Sequence, residues 1–188
     1  MTYAVVRVRG SARSHRDVRD TLRMLHLTRQ NHLVFVPEDE THKGMLQKVK
    51  DYVTWGEVDE ETVHEALVAR GRVQGDRPLT DEYIRASSGF ASARELASAL
   101  AASRASFSKI KGVKPVMRLH PPRGGYENTK RSFREGGSLG YRGAEIRSLI
   151  RRMLGPEAGG VRRGKQTGGP GGGEGGREGG SAGKEGGG

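Results

Sequence analysis

The 188-residue chain contains no cysteine, which excludes disulfide crosslinks, thiolate metal sites and cysteine nucleophiles. No apolar run approaches the roughly 20 residues that a membrane span requires. The N-terminus lacks the short apolar core of a secretion signal. A soluble, cytoplasmic protein is the expectation. Catalytic signatures are missing too. None of the six histidines has a second ligand-type residue at helical zinc spacing, and "HEALV" at His64 lacks the second histidine of H-E-x-x-H. No G-x-x-x-x-G-K-[ST] phosphate loop occurs, and no serine sits in a nucleophile elbow. "GGSLGYRG" does not follow a clear strand of a βαβ unit, so a nucleotide-binding enzyme is a weak alternative. We expect no cofactor, no metal, no small-molecule substrate and no enzymatic activity.

What the chain does have is positive charge, a net +11 with a pI near 10.3. It is segregated. Residues 1–35 carry net +5, residues 36–113 net −2 and residues 114–154 net +7. A merely solvated surface mixes its signs along the chain. Two basic ends around a near-neutral middle point to a polyanion touched by both. The last 34 residues hold 17 of the 30 glycines and no aromatic residue. Too little apolar surface is present there to offset the entropy of ordering, so 155–188 is expected to be a disordered tail.

Periodicity places the elements. "YAVVRVRG" reads as a strand, with Ala4, Val6 and Val8 on one face. "SHRDVRDTLRMLHL" reads as a helix capped by Ser14, with Val18, Leu22 and Leu25 in one stripe. "HLVFV" is a second strand ended by Pro37, "THKGMLQKVKDY" a helix capped by Thr41, and "YVTWGEV" a third strand. Three short helices follow near 60–70, 80–87 and 92–103. Asp59 and Ser92 are the caps, Ser92 in a capping box with Glu95, and Gly71 and Gly89 are the stops. "KPVMRLH" reads as a fourth strand. "AEIRSLIRRML" reads as a helix with Ile146, Leu149, Ile150 and Met153 inward. The division is a βαβαβ RNA-binding core (1–58), a helical accessory segment (59–113), a basic strand-loop-helix extension (114–154) and the tail (155–188).

"LHPPRGGYENTKRSFREGGSLGYRG", Leu119 to Gly143, carries six glycines, five Arg or Lys and three aromatics, with no helical or strand periodicity. Arg and Lys supply charge to phosphates, and Arg adds planar, bidentate bonding. Tyr126, Phe133 and Tyr141 are suited to stacking on unpaired bases or to anchoring on the protein's own core. Without burial of its own, such a loop is expected to order on its partner. The candidate RNA contacts here are Arg118, His120, Arg123, Tyr126, Lys130 and Arg131. Phe133, Arg134, Tyr141 and Arg142 continue the set, and Arg151 and Arg152 of the last helix complete it.

Several blocks, in order, resemble large-subunit ribosomal protein L thirty in its long archaeal form, related to eukaryotic protein L seven. They are "YAVVRVRG", "HKGMLQKVKDYVTWGEVDEETV", "LTDEYI", "RLHPPRGGY", "REGGSLGYRG" and "IRSLIRRML", spread over nearly all of 1–154. The resemblance implies an α+β fold, a small βαβαβ core of ferredoxin-like flavour with an antiparallel three-stranded sheet. It implies a structural constituent of the large ribosomal subunit that binds large-subunit ribosomal RNA in the vicinity of 5S rRNA, beside neighbouring ribosomal proteins. By it, the loop after the first strand and the start of the second helix meet RNA. Here those are Arg9, Ser11, Arg13 and Arg16, then Thr41, His42, Lys43 and Gly44, with Arg7 just before them. A free RNA- or DNA-binding regulator using the same loops is the alternative.

Overall fold

A computed structural model describes residues 1–12, 14–107 and 110–155. From residue 156 onward, the tail expected to be disordered lies outside the described residues, as does Arg13. The chain order is β1 (Thr2–Arg7), α1 (Arg16–Met24), β2 (His32–Pro37), α2 (Glu40–Lys48) and β3 (Val53–Glu57). Then come α3 (Glu60–Arg70), α4 (Asp81–Ser88), α5 (Ala93–Ala101), β4 (Met117–Arg118), β5 (Asn128–Ser132), β6 (Gly137–Tyr141) and α6 (Ile146–Leu154).

The α+β class and the antiparallel β2-β1-β3 core are as expected, but the sheet is larger. It has six strands in the order β4-β2-β1-β3-β6-β5. It is also mixed, since β6 runs parallel to β3 and β5 pairs with β6 in parallel through a shifted register. The two extra strands come from the glycine-rich segment, which has no apolar alternation. Their pairing is short, and Leu139 is the one large apolar side chain they bury. "KPVMRLH" yields only the two-residue β4.

β1 is buried along its whole length because both faces of the sheet are covered. Ala4, Val6, Leu33 and Phe35 pack with Val63, Leu67, Leu96 and Leu100 and with Ile146, Leu149, Ile150 and Met153 of α6. Tyr3, Val5, Val34, Val53 and Trp55 pack with Leu22, Leu25, Leu46 and Val49 on the α1/α2 side. Each fully buried Leu, Ile or Val contributes roughly 1.5–3 kcal/mol, so α6 is part of the core and not an appendage.

Cap chemistry was partly legible. Asp59 accepts from the Thr62 amide and Ser92 from the Glu95 amide, while Gly89 closes α4 at φ +74°. Ser14 does not cap α1. Its hydroxyl donates to the Ser11 carbonyl at 2.9 Å, tightening the preceding turn, and the helix begins at Arg16. Nor does Thr41 cap α2, which begins one residue earlier, after Asp39.

Candidate nucleic-acid interface

Strand direction sorts the charges. β2 and β3 both run antiparallel to β1. One end of the sheet therefore gathers the end of β1, the starts of β2 and β3, the end of β4 and the starts of β5 and β6. The C-termini of α3 and α6 join it: Arg70 Nη2 donates to the Leu154 carbonyl at 3.0 Å, and the His120 amide donates to Met153 O at 3.1 Å. Arg9, Arg29, Lys50, Arg118, His120, Arg123 and Arg152 lie at this end. The opposite end holds Glu38, Asp39, Glu40, Glu57, Asp59, Glu60 and Glu61. Helix dipoles favour this arrangement. Acidic residues open α2 and α3, and Lys48, Arg70, Arg151 and Arg152 close α2, α3 and α6.

Arg7 holds the basic end together from inside. It is 4% exposed, and its guanidinium donates to Arg9 O at 2.9 Å, Leu27 O at 2.7 Å and Ser11 Oγ at 2.8 Å. Burial lowers its pKa from the ordinary value. By spending its donors on the backbone, Arg7 fixes the loop that presents Arg9, whose guanidinium lies 5.6 Å over the Tyr52 ring and donates to Asp51 O at 3.2 Å.

The 119–127 segment closes onto the same end. The Leu119 amide donates to Asn31 O at 3.0 Å, Arg123 N to Arg152 O at 3.2 Å, and Gly125 N to Pro122 O at 2.9 Å. Gly124 and Gly125 take φ +81° and +75° with open space where a side chain would sit, so the turn presents bare backbone beside the exposed Arg123. Burial pushes the Tyr126 phenol pKa far up. Its partly buried ring packs against the core. The Arg152 Nε is buried and, among the described residues, has no hydrogen-bond partner.

Lys130, Arg131 and Arg134 are exposed along the β5 edge, and among the described residues none has an ion pair. Phe133 is half-buried and lies 4.5 Å below the Arg142 guanidinium. Tyr141 is 43% exposed, and its hydroxyl donates to Glu57 at 2.6 Å.

Three of the expected contacts have partners within the fold. Arg7 and Arg142 are buried, because their donors satisfy oxygens inside the fold. Arg142 Nε donates to Thr54 Oγ1 at 3.1 Å and Nη2 to Ser138 O at 3.4 Å. Arg151 is exposed but donates to Glu61 at 3.1 Å and Glu65 at 3.2 Å, stitching α6 to α3. Arg16, Lys43 and Arg118 also have carboxylate partners, Asp20, Glu38 and Asp76. Thr41, His42, Lys43 and Gly44 begin α2 at the acidic end, away from Arg9 and Ser11, although both groups belong to the helix layer on one face. Sequence reading missed Arg29 and Lys50. Their signal was positional, since each precedes a strand that starts at the basic end.

The fold and its surface define a small α+β protein with basic side chains gathered at one end of its sheet and acidic ones at the other. The family description "Ribosomal protein L30p/L7e" matches residues 3–53. Three similar relatives, each called "Large ribosomal subunit protein uL30", come from Methanoregula boonei, Methanoculleus marisnigri and Thermoplasma volcanium. They are 53%, 48% and 52% identical, covering 80%, 80% and 81% of this chain and 99%, 99% and 93% of their own. The chain belongs to this family of large-subunit ribosomal proteins, which is structural and not enzymatic. It is a structural constituent of the large ribosomal subunit.

Proposed function

We propose that the protein binds large-subunit ribosomal RNA with its basic end and its β5 edge, in support of translation on the cytoplasmic ribosome. One observation carries this reading. Arg9, Arg29, Lys50 and Arg123 come from four separate chain segments, converge on one end of the sheet and, among the described residues, have no carboxylate partner. Like charges gathered this way repel one another until phosphates neutralise them. Residues 1–58 supply the RNA-binding core, 59–113 an accessory packing segment and 114–154 the basic extension. Thr41 to Gly44 form a second, smaller contact at the other end. Neighbouring ribosomal proteins take the remaining faces, and a position near 5S rRNA follows from the family resemblance.

Salt dependence tests the reading. If about six cations meet phosphates, counterion release gives a log–log slope of affinity on salt near −4 to −5, at roughly 0.7–0.9 per contact. The measurement is a filter-binding titration of the full chain against purified large-subunit RNA. A slope shallower than about −2 would refute the proposal.

A further inference from the structure

A groove of about 240 Å³ lies between the C-terminal half of α2 and the β5–β6 segment. Gln47, Lys50, Trp55, Phe133, Arg134 and Tyr141 face it, and Gly140 forms part of its floor. It is smaller than the roughly 300–1,000 Å³ of small-molecule pockets, and its chemistry is mixed. Trp55 and Tyr141 form an aromatic pair with centroids 6.4 Å apart and planes tilted by 55°. The Glu57 carboxylate holds the Tyr141 hydroxyl at 2.6 Å, which fixes the ring while leaving much of it open to solvent. A Cβ on Gly140 would meet nothing within 4 Å, so the floor is open backbone. Lys50 and Arg134 flank the rings and, among the described residues, have no ion pair. Gln47 is an exposed amide on the same wall.

We propose that this groove receives one unpaired nucleotide of RNA. The base stacks on Tyr141 beside Trp55, Gln47 bonds its edge, and Lys50 and Arg134 neutralise the flanking phosphates. Each part answers one part of a nucleotide: an aromatic face for the base, an amide with both donor and acceptor for its edge, and cations for the backbone. A duplex keeps its bases stacked inside and has none to offer. The inference rests on the RNA-binding reading above and adds a subsite to it.

Trp55 is the only tryptophan in the chain, so intrinsic fluorescence reports on the groove directly. The full chain is titrated with an eight-nucleotide single-stranded RNA, with a duplex RNA of equal length, and with AMP and UMP. The expected result is a change in Trp55 emission that saturates with the single strand, with neither the duplex nor the mononucleotides reproducing it at the same concentration. Tyr141→Ala should weaken single-strand binding roughly tenfold, the lower part of the range for loss of a base–aromatic stack. Gln47→Ala on the exposed side of α2 and Lys50→Gln in the turn after it, both exposed, should weaken it severalfold with the fold undisturbed by circular dichroism. Unmoved emission while RNA still binds with a steep salt slope would remove the subsite and leave the RNA reading intact. Binding of neither RNA at any salt would remove both. Equal emission changes with duplex, tight mononucleotide binding, or undiminished affinity in all three variants would each overturn the subsite.

Discussion

The Tyr126 hydroxyl donates to Asn31 Oδ1 at 2.6 Å across 95 positions of sequence. It ties the glycine-rich turn to the start of β2, where Asn31 sits at φ +61°. Tyr126→Phe keeps the packed ring and removes one bond, so a destabilisation of about 1 kcal/mol is expected. Hydrogen exchange reads the local effect. Amides of 123–127 should exchange faster in the variant, while those of β1 should change only as far as global stability does.

Arg142 and the pair Arg131/Arg134 should separate scaffold from contact. Arg142→Ala leaves Thr54 and Ser138 without a charged donor, and hydrogen bonds to charged groups contribute about 1.5–3 kcal/mol each. A loss of about 3 kcal/mol in urea denaturation is expected, with RNA affinity of the folded fraction nearly unchanged. Arg131→Ala with Arg134→Ala should do the reverse, weakening RNA binding and reducing the salt slope by about 1.4–1.8 while stability stays within about 0.5 kcal/mol. The same outcome from both would contradict the assignment.

Gly56 faces the backbone of Gly143, and a Cβ at 56 would overlap the Gly143 carbonyl. Neither partner is a side chain that can swing aside. Gly56→Ala should therefore cost about 1–3 kcal/mol, the range for forced overpacking, and lower the thermal midpoint. Gly44→Ala is the control. It lies within α2 with nothing within 4 Å of its Cβ, and alanine there should stabilise by about 0.5–1 kcal/mol.

His32 gives stability a pH dependence of definite sign. It is 6% exposed, and its Nδ1 faces the Arg29 amide at 3.4 Å. Burial, then the charges of Arg118, Arg29 and Arg7, lower its pKa from the ordinary 6.5, with a hydrogen bond to His26 acting the other way. The unfolded chain takes up a proton near its ordinary pKa, and the folded protein does so only at lower pH. Stability is therefore fully present above about pH 6.5, falls as pH drops toward the folded value, and falls no further below it. Thermal melts between pH 8 and 5 should show the decline, and His32→Asn should flatten it. A midpoint rising from pH 7 to 5.5 would refute the assignment.

Much of the fold was legible because its signals are local. The stripe Val18–Leu22–Leu25, the Asp59 and Ser92 caps and the inward face of α6 each depend on residues a turn or two apart. The strands β5 and β6 were hidden because hydrophobic alternation did not produce them. Glycines at 136, 137 and 140 and a buried arginine at 142 did. The partners of Arg142 inside the fold, Thr54 and Phe133, are visible only once β6 lies beside β3. The carboxylate partners of Arg151 were hidden for the same reason, being on a helix more than eighty positions earlier. Charge segregation along the sequence did indicate a polar surface. It hid the axis, however: the acidic middle caps one end of the sheet, and Arg29 and Lys50 join the other.

Thr54 donates to the Gly140 carbonyl across 86 positions, and α6 fills the space beside α3. A chain made from its N-terminus therefore cannot seal its apolar interior early. Until residue 154 is available, Val63, Leu67, Leu96 and Leu100 lack the helix that covers them. Contacts of such long sequence separation slow folding, and the waiting surface is prone to aggregation. Time is the vulnerability built into this topology, and α6, made after every other described element, sets how long the new protein stays open.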